Sequence, residues 1–490
     1  MRSSSYAKSL RLAVPLAALL ASACAPLPDA GPRPLPRGPG TIAAGRSLPG
    51  SAGAVWPGDL WWRSLGDPQL DALIGEGLRN SPDVAAAAAR FRRAAGMVSE
   101  ARGATLPALD VNGTVIERKQ SLNQGFPDQF REFLPKGWHD LGEINGSLTF
   151  DLDLWGRNRA ALAAATSEQR AAAIDARQAR LVLATGIASA YVDLDRLYEQ
   201  RDVRQGELDV RLANRKLVAQ RQANGLENRG SVRQADAEVG TARAALGAVD
   251  NQIGLRRNQL AALIGAGPDR GIAIARPTLP VPPVQALPEG VTTDLVGRRP
   301  DIAAARERVE AAASRIKVAR ADFFPAIRLT ALFGVQSLGI ATLFQNDSTY
   351  GSAGPAVSLP IFHGGQLQGR YRGARATYDE AVADYDRTVI GAYHDVADAV
   401  TGQRSVAQQL VDARVALAAS QDAYAVARAR YEGGLSSYLD VLVVQDRLLQ
   451  ARLAVAGLDA DLRSLDIALI RALGGGFDAA GPIPKDDTHG

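Results

Sequence analysis

The second half of the chain carries one long apolar stripe. Small or apolar residues stand at Leu367, Tyr371, Ala374, Tyr378, Ala381 and Tyr385. They resume at Val389, Ala392, Val396 and Ala399, and continue through Val406, Leu410, Ala413, Leu417, Tyr424, Ala427 and Tyr431. The steps alternate four and three, with one additional four-step between Tyr385 and Val389; Gln403 and Ser420 are the polar members. Such steps define a coiled-coil seam, and the additional one is a stutter. No proline interrupts 364–430 or 441–472. Between these runs lie Gly433 and Gly434, whose access to positive φ suits a tight helix–helix turn. The pattern predicts a helical hairpin with its tip near 434. At 1.5 Å per residue its first arm would be about 100 Å long.

The hairpin occurs twice. Asn224-Gly225-Leu226-Glu227 matches Gly433-Gly434-Leu435-Ser436 at an offset of 209 residues (434 against 225), and Leu263-Ile264-Gly265 matches Ala472-Leu473-Gly474 at the same offset. Upstream, Ser81-Pro82-Asp83-Val84 matches Arg299-Pro300-Asp301-Ile302 at an offset of 218 (300 against 82). The chain is therefore a duplication of helix, two strands, long helix, glycine tip and helix, and the first copy carries the longer loop between Pro107 and Trp155. The first repeat is expected over 61–265, a linker over 266–290, the second repeat over 291–474 and a tail over 475–490. The first helices are expected over roughly 68–80 and from Pro82 to Ala104.

After Pro107 the period changes to two. Leu109, Val111, Gly113 and Val115 alternate with polar residues; on the return, Ile144, Gly146, Leu148, Phe150 and Leu152 alternate with Asn145, Ser147, Thr149 and Asp151. Ile327, Leu329, Ala331, Phe333 and Val335 repeat the theme more weakly. Strands are expected at about 107–118, 142–153, 325–337 and 352–361, each with one apolar and one polar face. Such segments fit a transmembrane β-barrel as well as a half-buried soluble sheet. Four strands cannot close a barrel, and an open edge cannot sit in lipid. The sheet is either small and soluble or completed by other copies of the chain, and the long seamed helices favour the second.

The N-terminus reads as a targeting segment over 1–23, with Arg2, Lys8 and Arg11 ahead of a short apolar run. Cys24 follows Leu20-Ala21-Ser22-Ala23 and is the only cysteine. The site reads either as a lipobox, with Cys24 lipidated as the mature N-terminus, or as an ordinary cleavage site with Cys24 incidental. A single cysteine excludes an intrachain disulfide. Residues 24–60 are rich in Pro, Gly and Arg and read as an extended tether.

Charge is nearly balanced, with 56 basic and 52 acidic residues interleaved along the helices, and no basic patch suggests nucleic acid. The four histidines, His139, His363, His394 and His489, are scattered without metal-ligand spacing. No phosphate-cradling loop or nucleophile elbow occurs, and Gly474-Gly475-Gly476 follows a helix as a cap. An enzyme is not the expected reading.

Trp61-Trp62, Asp67-Pro68-Gln69-Leu70, Phe150 to Arg157, Arg299-Pro300-Asp301-Ile302, Phe323-Phe324-Pro325, Pro360 to Gly365, Tyr431 to Leu442 and Leu473 to Gly476, in that order, resemble the outer membrane factor family. These are the TolC-like and OprM-like channels, and the likeness is strongest to their NodT-type lipoprotein branch. The resemblance implies a mainly α fold with a β-barrel part: a coiled-coil α-barrel continuing into a transmembrane barrel, built as a homotrimer. It implies the exit duct of a tripartite pump in the outer membrane, with no cofactor beyond a diacylglycerol and N-acyl lipid on Cys24. Its partners would be outer membrane lipid, a periplasmic adaptor (membrane fusion protein) and an inner-membrane transporter, proton-driven. Adaptor-docking tips fall on Gly225, Leu226, Gly433, Gly434, Leu435 and Ser436, and the periplasmic gate on Tyr431 and Asp440. Ser231 stands at the first-copy equivalent of Asp440, and Val443 where TolC carries a second acidic ring, so this gate is less charged. A duct for type I protein secretion and a structural periplasmic coiled coil are the alternatives.

Overall fold

The structure, a computed structural model, describes residues 27–29, 31–51, 53–123 and 127–479. The targeting segment, Cys24 and the tail beyond 479 lie outside the described residues. In chain order the helices are α1 (Pro68–Asn80), α2 (Pro82–Gly103), α3 (Arg157–Ala223), α4 (Arg229–Leu263), α5 (Pro268–Ile272), α6 (Val291–Arg298), α7 (Pro300–Ala321), α8 (Gln366–Glu432) and α9 (Tyr438–Ala472). The strands are β1 (Ala108–Lys119), β2 (Trp138–Asp151), β3 (Ala326–Leu338) and β4 (Thr349–Ser358). The chain forms two compact units.

The first unit takes residues up to 35, 92–170 and 307–383. Its strands form one antiparallel sheet in the order β1-β2-β3-β4. Residues opposite one another in such a sheet share a face. Leu109 lies opposite Leu148 and Val111 opposite Gly146, while Phe150 pairs with Leu329 and Gly146 with Phe333. One face is therefore apolar from edge to edge. Gly146 is required there, because a Cβ would run into the ring of Phe333. Asp110 opposite Ser147 and Asn112 opposite Asn145 give the other face its polar character. Leu109, Val111, Val115, Phe333 and Val357 on the apolar face are exposed within one chain. The return strand expected over 352–361 starts three residues earlier, at Thr349, and stops at Ser358. Pro360, which has no N–H to offer a ladder, lies just beyond its end.

The tether does not hang free over its described residues in this unit. Arg375 of α8 donates to the carbonyls of Gly31 and Pro32 at 3.0 and 3.3 Å, and the Tyr378 hydroxyl donates to that of Pro34 at 3.0 Å.

The second unit takes residues 36–91, 171–306 and those from 384 on. Its core joins Leu70, Leu73 and Ile74 of α1 to Ile187, Tyr191 and Leu194 of α3 and to Leu260 and Ile467. The Asp67-Pro68-Gln69-Leu70 motif has a local cause. Asp67 caps α1 by accepting from the Gln69 N–H at 2.8 Å, and Pro68 supplies a first-turn residue that needs no donor. The same carboxylate accepts from the Tyr191 hydroxyl at 2.7 Å and the Thr278 N–H at 3.0 Å, so one cap ties three segments together. Burial pushes this carboxyl up, but the three bonds outweigh it and hold it below the usual carboxylate range. The linker expected over 266–290 contains α5, anchored by Arg270 on Glu76 at 2.9 Å. Along α8 from Tyr385 to Tyr431 every seam position is buried or half-buried, Gln403 and Ser420 included. Asp466 of α9 is buried, and burial pushes its carboxyl up to about 6.

Candidate functional site: the two helical tips

Both hairpins reverse by the same bonds. Gly225 has φ 71° and Gly434 has φ 74°. Gly225 N–H donates to Gln222 O at 3.0 Å and Leu226 N–H to Arg221 O at 2.8 Å; Gly434 N–H donates to Tyr431 O at 3.0 Å and Leu435 N–H to Arg430 O at 2.8 Å. This is the Schellman closure of a helix C-terminus. Gly433 differs from the expectation that both glycines supply positive φ. Only Gly434 does; the N–H of Gly433 extends α8 by bonding Ala429 O at 3.0 Å.

The outgoing helices also start alike. Asn228 caps α4 by accepting from the Ser231 N–H at 3.0 Å. Ser437 caps α9 by accepting from the Asp440 N–H at 3.3 Å, and the Asp440 carboxylate accepts in return from the Ser437 N–H at 3.0 Å. The second tip thus has a full capping box where the first has half of one. The box starts α9 at Tyr438, three residues before the expected 441. The Ser437 N–H, then its hydroxyl, hold the exposed Asp440 carboxyl below its usual range, so it stays charged at neutral pH. Leu226 and Leu435 at the apices are exposed, and so is Val443.

Between the tips lies a belt of side chains that bond one hairpin to the other. Tyr431 is 2 % exposed and packs against Val218, Tyr438 and Val441. The Arg221 guanidinium sits 4.8 Å from the centre of its ring and donates to its carbonyl at 3.2 Å. The Tyr431 hydroxyl donates to Glu227 at 3.2 Å. Burial, reinforced by Glu227, pushes this phenol up to about 12. Further from the apex, Asn214 donates to Gln445 at 3.0 Å in a buried position. Arg211, 3 % exposed, binds Asp446 across the hairpins and meets Glu207 at 3.7 Å and Glu238 at 3.5 Å.

Of the expected gate residues, Tyr431 therefore lies inside this belt, while on the first turns of the outgoing helices Asp440 is exposed and Ser231 half-buried. Sequence reasoning did not single out Arg211, Asn214, Arg221, Glu227, Gln445 or Asp446. One signal was present: Arg211 stands 209 residues before Ser420, so a polar residue recurs at the same seam position of both copies.

Nothing in this arrangement resembles a reaction centre. Among the described residues, no three His, Cys, Asp or Glu side chains gather as metal ligands, and no helix is long and apolar enough to cross a membrane.

The chain is similar to a set of outer membrane proteins. The family model described as "Outer membrane efflux protein" matches residues 73–266 and 292–475, one match for each copy of the duplication. The multidrug resistance outer membrane protein MdtP of Escherichia coli strain K12 is 32 % identical over 442 residues, covering 88 % of this chain and 89 % of that protein. The fusaric acid resistance protein FusA of Burkholderia cepacia is 34 % identical over 388 residues, covering 77 % of this chain and 71 % of that protein. The crystal structure of the outer membrane protein VceC of Vibrio cholerae superposes with a TM-score of 0.81 at 40 % identity, covering 86 % of this chain and all of that one. With both repeats matched and the likeness running through strands, hairpins and tips alike, the chain belongs to the outer membrane efflux protein family.

Proposed function

We propose that the chain is the outer-membrane exit duct of a tripartite pump that passes small molecules, drugs among them, out of the periplasm. One observation carries the assembly. The sheet has four strands, two open edges and an apolar face that stays exposed in one chain. Lipid tolerates no open edge. Three copies joined edge to edge would give a closed barrel of twelve strands, with Leu109, Val111, Leu148 and Phe333 towards lipid and Asn145, Ser147 and Thr149 towards the lumen. In the same trimer the hairpins would form the periplasmic part of the duct. The multidrug and fusaric acid resistance relatives support a small-molecule cargo.

The duct does no covalent chemistry; it holds a path closed and then opens it. The belt between the tips supports a gate there. Opening by separation of the two hairpins would break Arg211–Asp446, Asn214–Gln445 and Tyr431–Glu227. Three Asp440 carboxylates around one axis would attract cations and set the selectivity of the mouth. The apices, exposed at Gly225-Leu226 and Gly434-Leu435 and half-buried at Ser436, are the proposed seat of a periplasmic adaptor. That adaptor would join the duct to a proton-driven inner-membrane transporter. Cys24, outside the described residues, is proposed to carry a diacylglycerol and N-acyl anchor, which adds to a barrel that already spans.

Purified trimers in planar bilayers test the channel: discrete conductance steps support it, and protein that stays soluble without detergent and never conducts refutes it. Mass spectrometry of the mature N-terminus tests the anchor, and an unmodified Cys24 rules it out.

A further inference from the structure

A groove of about 610 Å³ opens in the first unit, between the start of α3 and the end of α7. It lies at the end of the sheet where the chain passes from β2 into α3 and from α7 into β3. Trp155 and Phe324 form one wall, stacked with ring centres 4.7 Å apart and planes 22° from parallel. The Trp155 N–H donates to Pro325 O at 2.8 Å, which fixes the indole against the residue just ahead of β3. Arg159, Ser314, Lys317 and Arg320 form the rest of the polar lining, and among the described residues no carboxylate lines the groove.

The charge there is largely uncommitted. Arg159 is paired with Asp153 at 3.2 Å. The neighbouring Asp322 is taken by Arg157 at 2.7 Å and, more loosely, by Arg370 at 3.9 Å. Lys317 and Arg320 are exposed, one helical turn apart on α7, and among the described residues no acid lines the groove opposite them. The other copy does not repeat the feature. At the positions equivalent to Trp155, Lys317 and Phe324 it has Gly364, Ser99 and Leu106, and only Arg320 keeps its charge, as Arg102. The aromatic wall and the second cation, Lys317, are therefore found on the β2–β3 side alone, beside an arginine that both copies carry.

We infer that this groove binds the headgroup of an anionic phospholipid. The inference rests on the placement of the apolar sheet face in the outer membrane. Phe150, Ile327 and Leu329, at the helix end of that face, lie within a few residues of Trp155 and Phe324 in the chain. Amphipathic aromatic rings favour the level of lipid headgroups, and two unpaired cations beside them complement a phosphodiester. A free phosphate would use Lys317 and Arg320 but gain nothing from the apolar face, so the committed occupant is the lipid. Its acyl chains would lie along the apolar residues of β2 and β3 while its phosphate sits between Lys317 and Arg320.

Native mass spectrometry of the full-length detergent-solubilised protein tests this, with phosphatidylglycerol, phosphatidylcholine and inorganic phosphate as the probes. Phosphatidylglycerol should bind at one site per chain, well ahead of phosphatidylcholine, and inorganic phosphate in excess should not displace it. Lys317→Gln with Arg320→Gln should weaken phosphatidylglycerol at least tenfold. Arg90→Gln with Arg93→Gln, which removes the same charge from exposed positions on α2, should leave it unchanged. Equal binding of the two lipids, loss in both double variants, or no loss in the first would overturn the assignment. Displacement by phosphate would reduce the site to a simple anion site and overturn it too. Bilayer conductance of the same variants reports the channel separately, so failure of the lipid site and failure of the channel are distinguishable.

Discussion

The two tips share a backbone and differ in charge. Gly225 and Gly434 have φ angles within a few degrees of each other, the same two closing bonds follow each, and each outgoing helix is capped from the same position. The side chains at matched positions are nevertheless Gln222 and Tyr431, Ser231 and Asp440, Arg211 and Ser420. The turn is built from one positive-φ glycine and one N-cap oxygen, and these leave the neighbouring side chains free to diverge. Function at the tips should therefore be sought in the differences between copies, and the scaffold in their likeness.

Removing Arg211 should have the largest effect. Arg211→Ala takes the buried guanidinium from between Glu207, Glu238 and Asp446, leaving Glu207 with Arg204 alone at 3.0 Å, and should cost about 3 kcal/mol of stability. That is the low end for a broken buried pair, because Asp446 is largely exposed. Ser420→Ala at the matched position should cost under about 0.5 kcal/mol. Thermal unfolding of both variants compares them, and equal losses would erase the contrast.

Asp466 gives a pH test of the same asymmetry, since the first copy has Arg257 at that position. Its carboxyl titrates higher in the folded chain, about 6, than its ordinary value of 3.8. Between those values the native state holds a proton that the unfolded chain has released. Stability from this group is thus full below about pH 4 and falls as pH rises through about 6. Asp466→Asn should gain roughly 1–3 kcal/mol near pH 8 and nothing near pH 4. A gain independent of pH would mean that Asp466 is not buried as a proton-binding group.

At the turns themselves, Gly225→Ala and Gly434→Ala should each cost about 1–2 kcal/mol, because both require the left-handed backbone region. Gly433→Ala should instead be near neutral, since Gly433, just past the end of α8, has no positive φ and a Cβ there would meet only ordinary contacts. Chemical denaturation separates the three. A loss at Gly433 matching that at Gly434 would return the turn to a two-glycine device. Tyr431→Phe should cost about 0.5–1.5 kcal/mol per chain for its bond to Glu227. The matched Gln222→Ala, on an exposed residue, should be silent in the same unfolding measurement.

The elements legible in the sequence are those with a local cause. The seam, the Pro-bounded strands, the glycine tips and the duplication follow from periods and from residues that restrict the backbone. The burial of Gln403 and Ser420 followed from the seam's spacing alone. The capping box at Ser437 and Asp440 is also local, but it lies outside the apolar period, which by itself starts α9 three residues late. The belt between the hairpins was not legible, because Arg211–Asp446, Asn214–Gln445 and Tyr431–Glu227 join residues more than 200 positions apart. Such pairs leave no periodic trace, and Arg211 in the sequence looks like any charge on a solvated helix. The groove beside Trp155 was hidden in the same way: its two halves lie on α3 and α7, and only the strand pairing of β2 with β3 brings them together.

The central claim is that matched backbone positions at the tips carry different functions, with Asp440 at the mouth of a channel and Ser231 not. Ion selectivity of single trimers in planar bilayers tests it most directly. Asp440→Asn keeps an oxygen for the Ser437 cap and removes the charge. It should lower cation preference and relieve block by divalent ions, while Ser231→Ala should leave both as in the unmodified protein. Unchanged selectivity in Asp440→Asn, or an equal change in Ser231→Ala, would contradict the account and move the constriction away from the second tip.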